Sequence, residues 1–332
     1  MKINRNIFTL DSHARDVRYL LKEGNASYLS NRFRWYYYPR MHHVARFPIH
    51  VDIESSSECN MNCPMCFRGR LSVKHGIMDI GLYRRIIDEC AAHHIYSVKL
   101  SWRGEPLLNP ALPQMVAYAK EKGIKEVAFL TNGLVLEESL AAELIRSGLD
   151  WMTISFDGLG ETYESIRRPA RYHEAVERVR GVRRIRDRLG RSKPLLRVQT
   201  IWTAIEDDPD AYREVWGPIV DKVLFIPDKD FYSEIHHDTD FVCQYLWQRL
   251  TVTWNGKVTQ CIGDTNEDNL IGDVNESTLH EIWHGAEMNH RRRLHLERRR
   301  LEIECCRQCP EGRVETTKGD REIPKDMGNV RG

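Results

Sequence analysis

The 332-residue chain lacks any apolar run of 18 residues, so the sequence predicts no membrane span. The first residues also lack the apolar stretch of a secretory signal. Charge of one sign is not in excess: 49 basic against 48 acidic residues leave a net charge of +1, which gives no general attraction to nucleic acid. No glycine-rich dinucleotide fingerprint is present. With nine cysteines, these absences favour a reducing, cytoplasmic compartment in which cysteines hold metal.

Three cysteines on one short stretch, Cys59, Cys63 and Cys66, are the most informative feature present. Their spacing, C-x3-C-x2-C, differs from the ferredoxin run C-x2-C-x2-C-x3-C. Three thiolates would ligate three irons of a four-iron cluster and leave the fourth open, and an open position distinguishes catalytic metal sites from structural ones. A zinc knuckle, the alternative, needs a fourth ligand nearby, and the nearest downstream candidate is His75.

From about residue 48, short β-rich runs alternate with amphipathic stretches. The predicted strands cover 49–53, 97–102, 126–130, 151–156, 195–201 and 222–226. The predicted helices cover 80–93, 112–122, 137–147, 173–189 and 210–217, and three of them are followed by glycines suited to left-handed caps. This alternation predicts an α/β fold with a parallel sheet. Six units rather than eight predict an open, partial barrel with its chemistry at the carboxyl ends of the strands.

The cysteine triplet, with Phe67 after it, resembles the signature of the radical S-adenosylmethionine (SAM) superfamily, although Met65 stands where an aromatic residue is common. The resemblance implies a partial (βα)6 TIM-like barrel and a SAM-binding 4Fe–4S cluster held by the three cysteines. It implies reductive cleavage of SAM to a 5′-deoxyadenosyl radical, which abstracts hydrogen from the substrate. Reduced flavodoxin or ferredoxin is the expected electron donor.

The second strand ends in Arg103-Gly104-Glu105-Pro106, which resembles the Gly-Gly-Glu-Pro motif of this superfamily with Arg103 in place of the first glycine. The resemblance implies that Gly104 and Glu105 receive the methionine amino group of SAM. The residues expected to bind the rest of SAM are Asn132, Ser155, Asp157 and Arg167. Arg168 and Arg171 are rivals of Arg167 for the SAM carboxylate.

A second group of cysteines follows the predicted barrel: Cys243, Cys261, Cys305, Cys306 and Cys309. Asn255-Gly256 predicts a hairpin that presents Cys261. The region resembles the SPASM extension of radical SAM enzymes, reduced to one auxiliary 4Fe–4S cluster. The resemblance implies Cys243, Cys261, Cys306 and Cys309 as ligands, with Cys305 able to replace Cys306, and zinc is the alternative metal. Cys90 is predicted to be a buried thiol on a helix.

The predicted organisation is an N-terminal extension (1–47), a radical SAM barrel (48–228), a SPASM-like domain (229–310) and a flexible tail (311–332). The short extension favours a small hydroxylated substrate (sugar, aminocyclitol or nucleoside), for oxidation or epimerisation, over a ribosomal peptide presented by a fused leader-binding domain. A peptide maturase with a separate leader-binding partner is the alternative. Cys305, if it is not a ligand, is predicted to return hydrogen, and Asp228 and Asp230 to act as base or bind hydroxyls.

Two arginine-rich segments have competing interpretations. Residues 32–46 mix aromatics with Arg and His and are predicted to pack against the barrel rather than to bind nucleic acid. Residues 291–300 are predicted to form a solvated basic helix, with an anion-binding patch or a surface for an acidic electron donor as alternatives. An RNA-modifying protein that uses both segments, or a structural zinc protein, would be a different class of function.

Overall fold

The computed structural model describes residues 8–11, 26–227 and 236–312. Asp228 and Asp230, and all but the first two residues of the predicted tail, lie outside the described residues.

One mixed sheet of ten strands organises the described chain. The strands are β1 (Phe8–Thr9), β2 (His50–Ile53), β3 (Ser97–Lys99), β4 (Glu126–Thr131), β5 (Trp151–Ser155), β6 (Leu195–Ile201), β7 (Lys222–Ile226), β8 (Arg249–Val252), β9 (Lys257–Thr259) and β10 (Leu270–Asp273). Their order is β1-β7-β6-β5-β4-β3-β2-β8-β9-β10. Strands β2 to β7 are parallel neighbours, as predicted for a six-unit partial barrel. Among the described strands, β1 and β10 each have one neighbour, so hydrogen bonds do not close the barrel.

The described helices are α1 (Ala26–Arg40), α2 (Ile80–Ala92), α3 (Leu112–Glu121), α4 (Glu138–Arg146), α5 (Gly160–Ile166), α6 (Tyr172–Arg188), α7 (Pro209–Trp216), α8 (Leu279–His284), α9 (Ala286–Leu296) and α10 (Glu304–Arg307). Of these helices, α2, α3, α4, α6 and α7 lie close to the five predicted ranges. Gly123, Gly148 and Gly190 follow α3, α4 and α6 with φ values of 88°, 89° and 63°, which confirms the predicted left-handed caps. Cys90 on α2 is fully buried, as predicted. The described chain contains no helix that combines the length and the apolar character of a membrane span.

The C-terminal cysteine region joins the barrel through the sheet. Strand β8 pairs in parallel with β2, with His50 opposite Arg249 and Ile53 opposite Val252. Strands β8 and β9 form the predicted hairpin, whose turn contains Gly256 at φ 97°. The sheet therefore continues across the predicted boundary at 228/229, and the domain limits themselves stay a prediction.

Charged residues occupy inward-facing positions of the first barrel strands. Asp52 on β2 is fully buried between Lys99 Nζ, 2.7 Å away, and Arg249 Nη1, 3.1 Å away. Burial alone would raise the pKa of Asp52, but the two cations and His50 outweigh it and hold this pKa well below its usual value. These charges lie on the inward face of β2 and β3, whereas Val51 and Val98 on the opposite face are fully buried in the hydrophobic core.

Candidate active site

The cysteine triplet lies on the loop that follows β2, at the carboxyl edge of the barrel. Cys59, Cys63 and Cys66 are all free and half-buried. Burial raises the pKa of the Cys59 and Cys63 thiols. Two N–H donors approach these sulfurs: Asn132 Nδ2 lies 3.9 Å from Cys59 Sγ, and Arg167 Nη1 lies 3.9 Å from Cys63 Sγ. Such donors stabilise cluster-bound thiolates, so the loop fits a thiolate-ligated cluster.

Gly104 allows the turn after β3 to pack directly on the entrance of the cysteine loop. A Cβ atom at this position would lie 2.5 Å from both Glu58 O and Ser56 O. The adjoining Glu105 N donates to Glu58 O at 2.7 Å. The sequence predicted a close approach of SAM at this glycine, and the described contact is with the chain's own cysteine loop.

Glu105 ties the ends of β3 and β4 together. Its carboxylate is buried and accepts from Thr131 Oγ1 and Asn132 N, both at 2.6 Å, and from Leu107 N at 3.0 Å. Burial raises the pKa of Glu105, and these donors oppose that rise. Both carboxylate oxygens are already engaged, so the contact of Glu105 with the amino group of SAM stays a prediction.

Among the three rival arginines, Arg167 is the one whose guanidinium reaches a cysteine of the loop, whereas Arg168 contacts the loop through its carbonyl oxygen, which accepts from Asn62 N at 2.9 Å. Its Nε and Nη2 both lie 2.5 Å from Asp157 Oδ2, while Asp157 Oδ1 accepts from Ile201 N at 2.9 Å. Arg168 is exposed, and Arg171 is exposed and paired with Glu164. Ser155 is buried at the end of β5, a short distance before Asp157 in the sequence. The roles predicted for Asn132, Ser155, Asp157 and Arg167 toward SAM stay predictions.

The five C-terminal cysteines converge in one group, in which Cys261, Cys305 and Cys306 are buried and Cys243 and Cys309 half-buried. A Cβ on Gly263 would lie 3.4 Å from the Sγ atoms of both Cys261 and Cys309. Hydrogen bonds with Cys261 and Cys306 raise the pKa of Cys305, whereas the hydrogen bond with Cys305 lowers the pKa of Cys306, despite its burial. Burial raises the pKa of Cys243, and its neighbours Cys261, Cys309 and Cys306 raise it further. The ligand set predicted from the sequence, with Cys306 rather than Cys305, stays a prediction.

N–H groups surround this second cysteine group as well. Gln260 Nε2 lies 3.2 Å from Cys305 Sγ and 3.4 Å from Cys306 Sγ, and Gly263 N lies 3.4 Å from Cys261 Sγ. His295 Nε2 lies 3.5 Å from Cys306 Sγ. This donor set fits a thiolate-bound iron–sulfur cluster.

The prediction of a solvated basic helix at 291–300 is wrong for three of its arginines. Arg291, Arg292 and Arg300 are 5, 4 and 2% exposed. Arg291 Nη1 donates to Gln260 Oε1 at 3.1 Å, and the other two donate to backbone carbonyls of Leu246 (3.0 Å) and Gly312 (2.7 Å). Arg291 thus supports Gln260 beside the second cysteine group, Arg300 donates to the Cys306 carbonyl at 3.3 Å, and Arg292 joins Leu246 to Trp283.

A cavity of about 910 Å³ lies between the two cysteine groups. Met65 and Phe67 of the first loop line one part, and all five C-terminal cysteines line another. Leu130, Ile201 and Ile226 supply the barrel wall, and Lys99, Gln260 and Asp264 contribute polar groups. The sequence analysis did not predict these three polar residues. For Lys99, the signal that could have indicated it is a charged residue at an inward-facing position of a β-strand.

Within the described ranges, no three His, Cys, Asp or Glu side chains surround a point as the ligands of a single metal ion do. A four-iron cube binds each cysteine to a different iron, so a cluster site does not require that arrangement.

Comparison with known proteins decides the family. The family model of the radical SAM superfamily matches residues 53–201, and that of the SPASM iron–sulfur cluster-binding domain matches residues 243–310. The chain belongs to the radical SAM superfamily. Its two domains imply a 4Fe–4S cluster with SAM and an auxiliary iron–sulfur cluster.

Among curated relatives, this radical SAM protein is 22% identical to the tungsten-containing aldehyde ferredoxin oxidoreductase cofactor-modifying protein of Pyrococcus furiosus, over 70% of the chain and 79% of the relative. It is 32% identical to the GTP 3′,8-cyclase of Chlorobaculum tepidum, over 38% of each protein. The chain thus spans little more than a third of that cyclase.

Solved radical SAM structures share the fold. BtrN in complex with AdoMet and 2-DOIA superposes with a TM-score of 0.55 at 19% identity, over 81% of this chain and 96% of BtrN. SuiB from Streptococcus suis, bound to S-adenosylmethionine, superposes with a TM-score of 0.58 at 14% identity, over 76% of this chain and 69% of SuiB. Native anSMEcpe with bound AdoMet superposes with a TM-score of 0.58 at 15% identity, over 80% of this chain and 92% of anSMEcpe.

Proposed function

We propose that this radical SAM protein removes hydrogen from a small hydroxylated molecule, a sugar, aminocyclitol or nucleoside, and completes an oxidation or epimerisation. The observation that carries the proposal is the cavity between the two cysteine groups. Its volume of about 910 Å³, which the auxiliary cluster shares because all five C-terminal cysteines line it, lies at the upper end of the range of small-molecule sites, roughly 300–1,000 Å³.

When bound, the first cluster and SAM supply a 5′-deoxyadenosyl radical. The chain's own residues hold and shield that chemistry. Cys59, Cys63 and Cys66 hold the cluster, and Leu130 and Ile201 line the cavity with apolar surface that excludes water.

Two groups in the cavity are suited to the substrate itself. Lys99, held by Asp52, presents a cationic donor that can hydrogen-bond to substrate hydroxyls. The Cys305 thiol can return a hydrogen atom in an epimerisation, whereas an oxidation uses the auxiliary cluster as the electron acceptor. Asp228 and Asp230 remain proposed as a base or hydroxyl ligand.

A ribosomal-peptide maturase with a separate leader-binding partner is the second candidate. SuiB has been solved with its precursor peptide SuiA, and anSMEcpe with a Cp18Cys peptide, on folds similar to this one. BtrN, of the same fold, has been solved with 2-DOIA, so the fold alone admits both substrate classes. The proposal also includes reduced flavodoxin or ferredoxin as electron donor, a cytoplasmic location and no nucleic-acid partner.

Anaerobic reconstitution, followed by metal analysis and a SAM-cleavage assay with dithionite, tests the proposal. We expect about eight irons per chain and the formation of 5′-deoxyadenosine in the wild type. The triple variant Cys59→Ala/Cys63→Ala/Cys66→Ala should retain about four irons and form no 5′-deoxyadenosine. Perdeuterated sugars, aminocyclitols and nucleosides are then compared with peptides for deuterium transfer into 5′-deoxyadenosine. Zinc in place of iron, or transfer from peptides alone, would refute the proposal.

A further inference from the structure

Helix α1 exposes an apolar stripe. Leu29, Phe33, Tyr37 and Met41 follow one another at four-residue spacing, on one side of the helix and at its end. They are 59, 52, 48 and 58% exposed, whereas Tyr28 on the same helix is buried. The sequence predicted that residues 32–46 pack against the barrel, but Phe33, Tyr37 and Met41 within that segment are exposed. Apolar side chains that share one exposed face are typical of interaction sites.

The stripe lies in a part of the chain that carries charge of one sign. Residues 24–51 contain four arginines and no Asp or Glu. Arg40 is exposed, and its guanidinium lies over the ring of Tyr37, 5.7 Å from the centroid. Arg46 is exposed a few residues further on. Apolar and cationic groups therefore form a single surface, here called the basic–aromatic face (Leu29, Phe33, Tyr37, Arg40, Met41), and charge complementarity favours an acidic partner.

The other side of α1 contacts the segment that follows Cys243. Gln248 Nε2 donates to Trp35 O at 2.8 Å. The guanidinium of Arg249 lies 4.7 Å from the ring centroids of both Trp35 and Tyr245, so it is stacked between them. Tyr245 lines the cavity two residues after Cys243. The stacked side chains of Arg249 and Tyr245 thus connect α1 to the second cysteine group.

We propose that the basic–aromatic face is the docking surface for an acidic one-electron carrier protein of the flavodoxin or ferredoxin type. The inference rests on the proposed function, since a radical SAM oxidoreductase exchanges single electrons with such a carrier. A carrier docked on α1 lies beside the second cysteine group rather than over the loop of Cys59, Cys63 and Cys66. The exposed apolar side chains supply contact area, and the arginines supply attraction and salt dependence.

Binding of oxidised flavodoxin and of oxidised ferredoxin to the reconstituted holoenzyme tests the proposal directly. Dissociation constants are measured at about 0.02 and 0.3 M NaCl for the wild type, Phe33→Glu/Tyr37→Glu and Arg40→Glu. The matched control is Arg188→Glu, which reverses one exposed arginine at the end of α6. We expect both α1 variants to weaken the binding of at least one carrier about tenfold or more at low salt, and the control to change it less than about twofold. Iron content and thermal melting show that each variant is folded.

Dithionite-driven SAM cleavage separates this inference from the proposed function, because dithionite needs no docking surface. It should be unchanged in all four proteins, whereas carrier-driven cleavage falls in the two α1 variants. Carrier binding that is absent from the wild type, or equal in wild type and α1 variants, overturns the inference. If the α1 variants lose RNA binding or self-association while carrier binding stays intact, the basic–aromatic face binds RNA or a second copy of the chain. That result also overturns the inference.

Discussion

The guanidinium of Arg103 donates two hydrogen bonds to the carboxylate of Glu54, from Nε to Oε1 at 2.7 Å and from Nη2 to Oε2 at 2.6 Å. Both side chains are fully buried. The same guanidinium reaches Glu267 at 2.9 Å and Thr265 O at 3.0 Å, in the loop that follows Cys261. The residue that departs from the Gly-Gly-Glu-Pro motif therefore joins the turn after β3 to the second cysteine group.

Replacing Arg103 with the glycine common in the motif should destabilise the protein. The substitution leaves Glu54 buried without its cation, and breaking a buried pair in this way costs about 3–5 kcal/mol. Urea unfolding under anaerobic conditions measures the loss, and Glu54→Gln in the same background should recover part of it. Arg191→Gly, at an exposed site, is the control. A cost below about 1 kcal/mol would contradict the importance of this buried pair.

Adding one methyl group at Gly104 should disturb the cysteine loop. The new Cβ would meet the Glu58 and Ser56 carbonyl oxygens at 2.5 Å, so the turn or the loop must move, at a cost of about 1–3 kcal/mol. We expect Gly104→Ala to bind SAM more weakly and to lose iron from the first cluster, measured by equilibrium binding and iron analysis. Gly69→Ala, with no neighbour within 4 Å, should behave as wild type. Equal effects of the two substitutions would refute the steric argument.

Cys305 and Cys306 should differ in their effect on iron content. Cys306 belongs to the predicted ligand set and lies 3.5 Å from His295 Nε2, so Cys306→Ala should fall toward about four irons per chain, whereas Cys305→Ala should retain about eight. Iron and sulfide analysis with electron paramagnetic resonance distinguishes the two variants. The reverse pattern would make Cys305 the ligand and remove it as a hydrogen donor.

Gln260 should raise the reduction potential of the auxiliary cluster. Its amide donates toward Cys305 and Cys306, which draws negative charge from the sulfurs and favours the reduced cluster. A potentiometric titration of Gln260→Leu should therefore give a more negative midpoint. Gln308→Leu is the control, because Gln308 is exposed and bonds to Glu304. An unchanged midpoint in Gln260→Leu would show that the amide does not tune the cluster.

Asp264 should make stability fall as pH rises. Burial raises the pKa of Asp264 to about 6, above its ordinary value of 3.8, so the folded protein holds a proton that the unfolded chain releases. The contribution of Asp264 to the free energy of unfolding is fully present below pH 3.8 and is lost as the pH rises through about 6. Between pH 5 and pH 7.5 the loss is about 1 kcal/mol. Urea unfolding at both pH values should detect this decline in the wild type and a smaller one in Asp264→Asn; identical slopes would contradict it.

Much of the fold was predictable because its signals are local. The strands at 195–201 and 222–226 have the bounds that the sequence predicts, since apolar alternation and flanking turns specify them within a few residues. Left-handed glycines mark helix ends for the same reason. The short helix α5 was missed because it lies in the connection between β5 and α6, with one buried side chain, Tyr163.

The sequence by itself determined the family and predicts the reactive centre, because three cysteines on one loop need no distant partner to be recognised. Only the tertiary structure decided that β8 pairs with β2, that Arg103 joins Glu54 to Glu267, and that Arg291, Arg292 and Arg300 are buried. These contacts link residues that lie far apart in the chain. Their energies come from packing and desolvation, which a local pattern of residues does not encode.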